Sequence, residues 1–147
     1  MKTPITLLCA AAFAAFTTVA SAAEGWMTDY TKALEKAKAE KKMVLLDFTG
    51  SDWCPPCKML EADIFSQAKF KEYAEKNLVL VELDFPQTKT LPDDVKKQND
   101  KLAKDYGIRG FPTIVVLDPE GKKVKEHVGY LKGGPDALIA EVEKVKK

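Results

Sequence analysis

The chain has 147 residues, 46% hydrophobic and 31% charged, a size and balance that suit one folded domain and exclude fibrous or wholly disordered classes. With 23 Lys and Arg against 22 Asp and Glu, it offers no electrostatic case for a nucleic-acid or acidic-membrane partner. Three cysteines are too few for a disulfide scaffold, and their odd number leaves one thiol to be explained.

The first element in chain order is a leader. Lys2 precedes an apolar, Ala-rich run from Ile5 to Val19, and Ala20-Ser21-Ala22 ends it with small residues at a cleavage site. That is the pattern of a secretory signal peptide over residues 1–22. Cleavage after Ala22 leaves 147 − 22 = 125 residues, 23–147, as a single domain. It removes Lys2 and Cys9, so the mature charges balance at 22 against 22 and two cysteines remain. Export to the periplasm or beyond would put that pair where disulfides persist.

Thr28 to Lys42 carries Tyr30, Ala33, Leu34 and Ala37 at helical spacing among lysines and glutamates, which predicts a surface amphipathic helix. Met43 to Phe48 is a nearly continuous apolar run, as expected of a central parallel strand covered on both faces. Gly50-Ser51-Asp52 is a loop, and a helix starts at Cys54 and runs to about Asp63. Ser66 is the candidate cap of a further helical piece carrying Phe70, Tyr73 and Ala74. Leu78 to Phe85 reads as a second buried strand, and Pro86 to Asp105 as a polar loop turning helical from Asp93. Phe111–Leu117 and Lys123–Val128 are strands joined by the turn Asp118-Pro119-Glu120-Gly121. Pro135 to Lys146 closes the chain as an amphipathic helix with Leu138, Ile139, Val142 and Val145 inward. The alternation specifies an α/β domain with a central mixed sheet flanked by helices.

The chemistry lies in Trp53-Cys54-Pro55-Pro56-Cys57-Lys58. Two cysteines three positions apart in a first helical turn have Cα atoms about 5–5.5 Å apart, within disulfide reach. A strand–loop–helix setting is that of a redox dithiol. At the N-cap, Cys54 would have its thiolate stabilised by helix-end N–H groups and the dipole, while Cys57, one turn in, is the shielded resolving thiol. Pro55 and Pro56 remove two of those N–H donors. Weaker thiolate stabilisation makes the reduced form less stable and the couple more reducing. Tetrahedral zinc needs four ligands, and the mature chain has two cysteines and one histidine, His127. His127, beside Glu126 on a predicted strand, is expected to face solvent. A two-thiolate Cu(I) module remains a competing reading, since soft thiolates favour that metal.

These residues, with Asp47-Phe48, Tyr106-Gly107-Ile108-Arg109-Gly110-Phe111-Pro112-Thr113 and Val128-Gly129, resemble the thioredoxin superfamily over nearly all the mature length. The likeness is closer to secreted bacterial thioredoxin-like domains, such as the periplasmic reductase domain of the disulfide-interchange protein DsbD. It shows in Asp52-Trp53-Cys54, in Glu61 to Ser66, and in a start with a helix rather than an extra strand.

The resemblance implies the thioredoxin fold, with a cis peptide bond before Pro112 and a substrate groove lined by Trp53, Phe111 and Pro112. It implies redox catalysis by Cys54 and Cys57, and proton transfer or pKa tuning by Asp47 and Glu61. A carboxylate buried in the Met43–Phe48 run should have a raised pKa and be able to accept the Cys57 proton. Where thioredoxin has a lysine near the buried aspartate, this chain has Glu82, so that ion pair is absent.

The expected function is a secreted thiol–disulfide oxidoreductase that reduces protein disulfides. It needs no cofactor or metal, acts on disulfide-bearing client proteins, and draws electrons from a membrane donor. No nucleic acid, and no membrane insertion after signal cleavage, is expected. An oxidase or isomerase on the same scaffold is the nearest alternative.

Overall fold

The computed structural model describes residues 24–146. The leader assigned to residues 1–22, with Cys9, lies outside them.

The chain runs through β1 (Trp26–Met27), α1 (Tyr30–Glu40), β2 (Met43–Thr49), α2 (Pro55–Leu60), a π-helical turn (Glu61–Phe65), α3 (Ala68–Asn77), β3 (Leu78–Asp84), α4 (Asp93–Asp105), β4 (Thr113–Leu117), β5 (Lys123–Val128) and α5 (Gly134–Val145). The strands form one mixed sheet in the order β1-β3-β2-β4-β5. β1 and β2 both pair parallel to β3, while β4 pairs antiparallel to β2 and to β5. The expected mixed sheet with helices on both faces is what the chain forms.

Strand alternation sorts the core into two layers. Met43 and Leu45 of β2, Leu78 and Leu80 of β3, and Ile114 and Val116 of β4 pack with Leu60, Ile64, Phe65, Phe70, Leu138 and Val142. On the other face Val44, Leu46 and Phe48 pack with Val79, Val81, Leu83, Ala33, Ala37 and Leu102. Helices on both sides explain why every residue of β2 is buried and why its sequence reads as an unbroken apolar run.

Several boundaries differ from the sequence reading. The described chain opens with a two-residue strand, Trp26–Met27, in register with Leu80 and Val81, and not directly with α1. Two residues are too few for a period-2 pattern to register. The segment after Cys54 is α-helical only to Leu60 and then widens into the π turn. Ser66 closes that turn: its N–H bonds back to the Glu61 carbonyl at 2.8 Å and its hydroxyl donates to Glu61 Oε1 at 2.9 Å. Gln67 therefore precedes α3, and Ser66 does not cap it. β4 begins at Thr113, after Pro112, which has no N–H for a ladder. In α5, Leu138 and Val142 are buried, while Ile139 and Val145 are half-buried.

Candidate active site

Cys54 is the N-cap of α2, and Pro55 and Pro56 occupy the first helical positions. Proline fits there because its fixed φ suits a helix start and its missing N–H costs no ladder bond. Cys54 and Cys57 are joined as a disulfide with Cα atoms 5.3 Å apart. The Cys57 N–H donates to Cys54 Sγ at 3.3 Å, the donor expected to remain once two prolines intervene. Both cysteines are buried, at 2% and 4% exposure, so shielding does not distinguish them; position in the helix does.

Around the disulfide lies an aromatic ledge. Trp53 is 37% exposed, and its indole N–H donates to the Phe85 carbonyl at 2.8 Å. Its ring meets Phe111 edge-on at 5.9 Å, and Phe111 in turn lies 5.0 Å from Phe85. The Phe111–Pro112 peptide bond is cis, and the Pro112 carbonyl accepts the Gly129 N–H at 2.8 Å. Trp53, Phe111 and Phe85 thus share one surface, of which sequence reading singled out the first two. Phe85 is missed because it looks like the last residue of an apolar strand.

A second group lies on the sheet beneath α2. Leu60 packs in the same layer as Met43 and Leu45. The helix must return antiparallel to β2 for the chain to enter β3 parallel. Cys57, one turn before Leu60, and Asp47, two residues after Leu45, are therefore displaced toward the same strand ends. Asp47 is 7% exposed, and its Oδ1 is buried without a hydrogen-bond partner. Burial, and then the negative charges of Glu82, Glu61 and Asp84, hold its carboxyl well above the ordinary range.

Glu61 is exposed on the π turn, accepting the Ser66 hydroxyl, and acts on Asp47 through its charge. Glu82 is the strand neighbour of Asp47 and is also raised, by burial and then by Asp84. Asp84 Oδ1 accepts the Ser51 N–H at 2.9 Å, and its Oδ2 lies 2.9 Å from Lys89 Nζ. The loop after β3 thus brings a cation to Asp84, while the charges acting on Asp47, where the family lysine is absent, are all acidic. The signal was available: β2 and β3 start at Met43 and Leu78, and counting along both places 47 opposite 82.

The 86–92 loop is held to the site by Asp52. Its carboxylate accepts N–H bonds from Gln87, Thr88 and Lys89 at 3.0, 2.8 and 3.2 Å, and the Thr88 hydroxyl at 2.6 Å. These bonds hold Asp52 far below the ordinary carboxylate range. α4 is likewise integrated: buried Asn99 donates to the Asp84 carbonyl at 3.0 Å, and Gln98 bonds both Thr28 and Tyr30.

His127 is half-buried, not solvent-facing, with Nδ1 3.9 Å from Glu141 Oε1 of α5. Among the described residues no cluster of three or more His, Cys, Asp or Glu could hold a metal.

Residues 30–146 match the thioredoxin-like domain family. The chain belongs to that family. The disulfide bond reductase DsbH of Chlamydia pneumoniae is 37% identical over 118 residues, covering 80% of this chain and 70% of that protein. The thiol:disulfide interchange protein DsbD of Vibrio cholerae is 36% identical over 98 residues, 67% of this chain but only 15% of that much longer protein. A solved DsbH oxidoreductase structure superposes with a TM-score of 0.77 at 34% identity, covering 93% of this chain and 94% of that one. This thioredoxin-like chain is accordingly a thiol–disulfide oxidoreductase whose disulfide-forming pair is Cys54 and Cys57. No helix among its described residues is long and apolar enough to cross a membrane.

Proposed function

We propose that the protein is exported by residues 1–22 and reduces protein disulfides in the periplasm or outside the cell. Cys54 attacks a client disulfide as the thiolate, forming a Cys54–client bond and expelling one client sulfur. Cys57 loses its proton to Asp47 and attacks Cys54 Sγ, releasing the second client sulfur and closing the Cys54–Cys57 disulfide. Two electrons pass to the client, and its two sulfurs leave as thiols once protonated. Trp53, Phe111 and Pro112 line the client groove, and Glu61 tunes Asp47 by its charge. A membrane electron donor re-reduces the pair, because export separates it from cytosolic reductants.

The observation that carries the reducing direction is the helix start. Cys57 supplies an N–H to Cys54 Sγ, and the two intervening residues have none to offer. A thiolate with few donors is poorly stabilised, which favours the oxidised protein and hence donation of electrons. The name disulfide bond reductase borne by the Chlamydia relative points the same way.

Equilibration with glutathione tests the direction. The expected midpoint is below about −230 mV, and a value near about −120 mV marks an oxidant instead. Cys57→Ser tests the roles: expressed in its native compartment, it should accumulate mixed disulfides through Cys54. Failure to trap any client there refutes the exchange mechanism.

A further inference from the structure

β2 and β3 run parallel and in register, with Asp47 beside Glu82 and Thr49 beside Asp84. Adjacent strands lie about 4.8 Å apart, so two carboxyl side chains on the same face at paired positions can meet. On its other side Asp47 is paired with Ile114, which offers no polar group. Asp47 Oδ1 is buried without a donor, which an ionised carboxylate tolerates poorly.

The charged groups facing Asp47 are all acidic: Glu82 and Asp84 from β3 and Glu61 from the π turn. The cation of the neighbourhood, Lys89, is bound to Asp84 and acts on Glu82. Burial leads the causes that raise both Asp47 and Glu82, so each holds a proton more tightly than an ordinary carboxyl does. Two carboxyls at paired positions on adjacent strands, one raised by the charge of the other, ease that cost by holding one proton between them.

We propose that Asp47 and Glu82 share a single proton, Glu82 being the positioning residue that sets the proton affinity of Asp47. The shared proton gives Asp47 Oδ1 the partner it lacks. Resting on the reading of Asp47 as the Cys57 proton acceptor, the pair works as follows. It starts with one proton and one negative charge, takes the Cys57 proton as the attacking thiolate forms, and becomes neutral. The proton then passes to solvent as the client sulfur departs, restoring the starting state.

Carboxyl 13C NMR on the disulfide form tests this without any client. In the wild type, Asp47 Cγ and Glu82 Cδ should each report two common titration steps, the mark of a coupled pair. In Glu82→Gln, Asp47 should show one step, moved down by about one pH unit or more, a tenfold loss of proton affinity. Asp47→Asn should reduce Glu82 to one step in the same way. A single-step wild-type titration, or an Asp47 curve unchanged in a folded Glu82→Gln, overturns the proposal.

Resolution of a preformed Cys54 mixed disulfide then separates the two claims. Its pH–rate profile should shift to lower pH in Glu82→Gln, since a less basic Asp47 is ionised sooner. Coupled carboxyl titrations with an unmoved rate profile would leave the shared proton standing and refute Asp47 as the acceptor.

Discussion

At Gly50 the absence of one carbon positions an aromatic side chain. A Cβ there would sit 2.5 Å from Trp53 Cε2 and 2.6 Å from its Nε1, closer than any real contact. The backbone at Gly50 is not left-handed, so the requirement is for space and not for conformational freedom. Gly50→Ala should push the indole off the Phe85 carbonyl and away from Phe111, at a cost of about 1–3 kcal/mol in overpacking. Tryptophan fluorescence should shift, and kcat/KM for a protein disulfide should fall by roughly tenfold. Alkylation of reduced Cys54 by a small reagent should change by less than about twofold, because the dithiol keeps its helix start. Equal losses in both assays would place Trp53 in the chemistry of the dithiol and not in client contact.

Among elements, the 86–92 loop departs furthest from a passive connection. Asp52, two residues before Cys54, gathers four donors from residues 87–89, and Lys89 from the same loop reaches Asp84. The active-site loop and the loop after β3 are thereby one hydrogen-bonded unit. Asp52→Ala should release it: hydrogen exchange at the amides of Gln87, Thr88 and Lys89 should quicken, while β2 and β3 amides stay protected. Asp52 has a depressed folded-state pKa, so its contribution is present above the ordinary carboxylate range and is lost as pH falls through the folded value. Acidification of the wild type should therefore reproduce the Asp52→Ala exchange pattern only at strongly acid pH. Unaltered loop exchange in Asp52→Ala would show that Asp52 is not what holds the loop.

Over the whole molecule, the sheet divides two apolar cores, and the carboxyls enter only one of them, at the strand ends beneath α2. That placement has a pH signature. Asp47 is raised in the folded state, so the native protein binds a proton the unfolded chain releases near pH 4, and stability falls as pH rises. The contribution is full below the ordinary carboxylate range and gone above the raised folded value. Asp47→Asn removes this liability. Denaturant unfolding of the disulfide form should find it more stable than wild type by about 1–3 kcal/mol at pH 8, with the gap closing toward pH 4. A gap that stays constant with pH would mean that Asp47 is not the titrating group.

Local spacing carried much of this protein. The Cys54-Pro55-Pro56-Cys57 helix start, the Pro112 segment and the apolar runs at 43–48 and 78–85 are relations between residues a few positions apart, where covalent geometry and periodicity dictate the outcome. From these the α/β sheet and the disulfide follow, while Trp53 and Phe111 of the aromatic ledge come from the family resemblance. Only the tertiary structure decided that Asp47 Oδ1 is buried without a donor, that Asp52 grips residues 87–89, and that Lys89 is drawn to Asp84. The Asp47–Glu82 register and the Asp52 bonds join residues 35 or more positions apart, and each carboxyl would be an ordinary solvated acid in the isolated segment. The register between β2 and β3 and the cover of α2 strip away water and bring like charges together, and that desolvation raises the proton affinity of two otherwise unremarkable acids, Asp47 and Glu82.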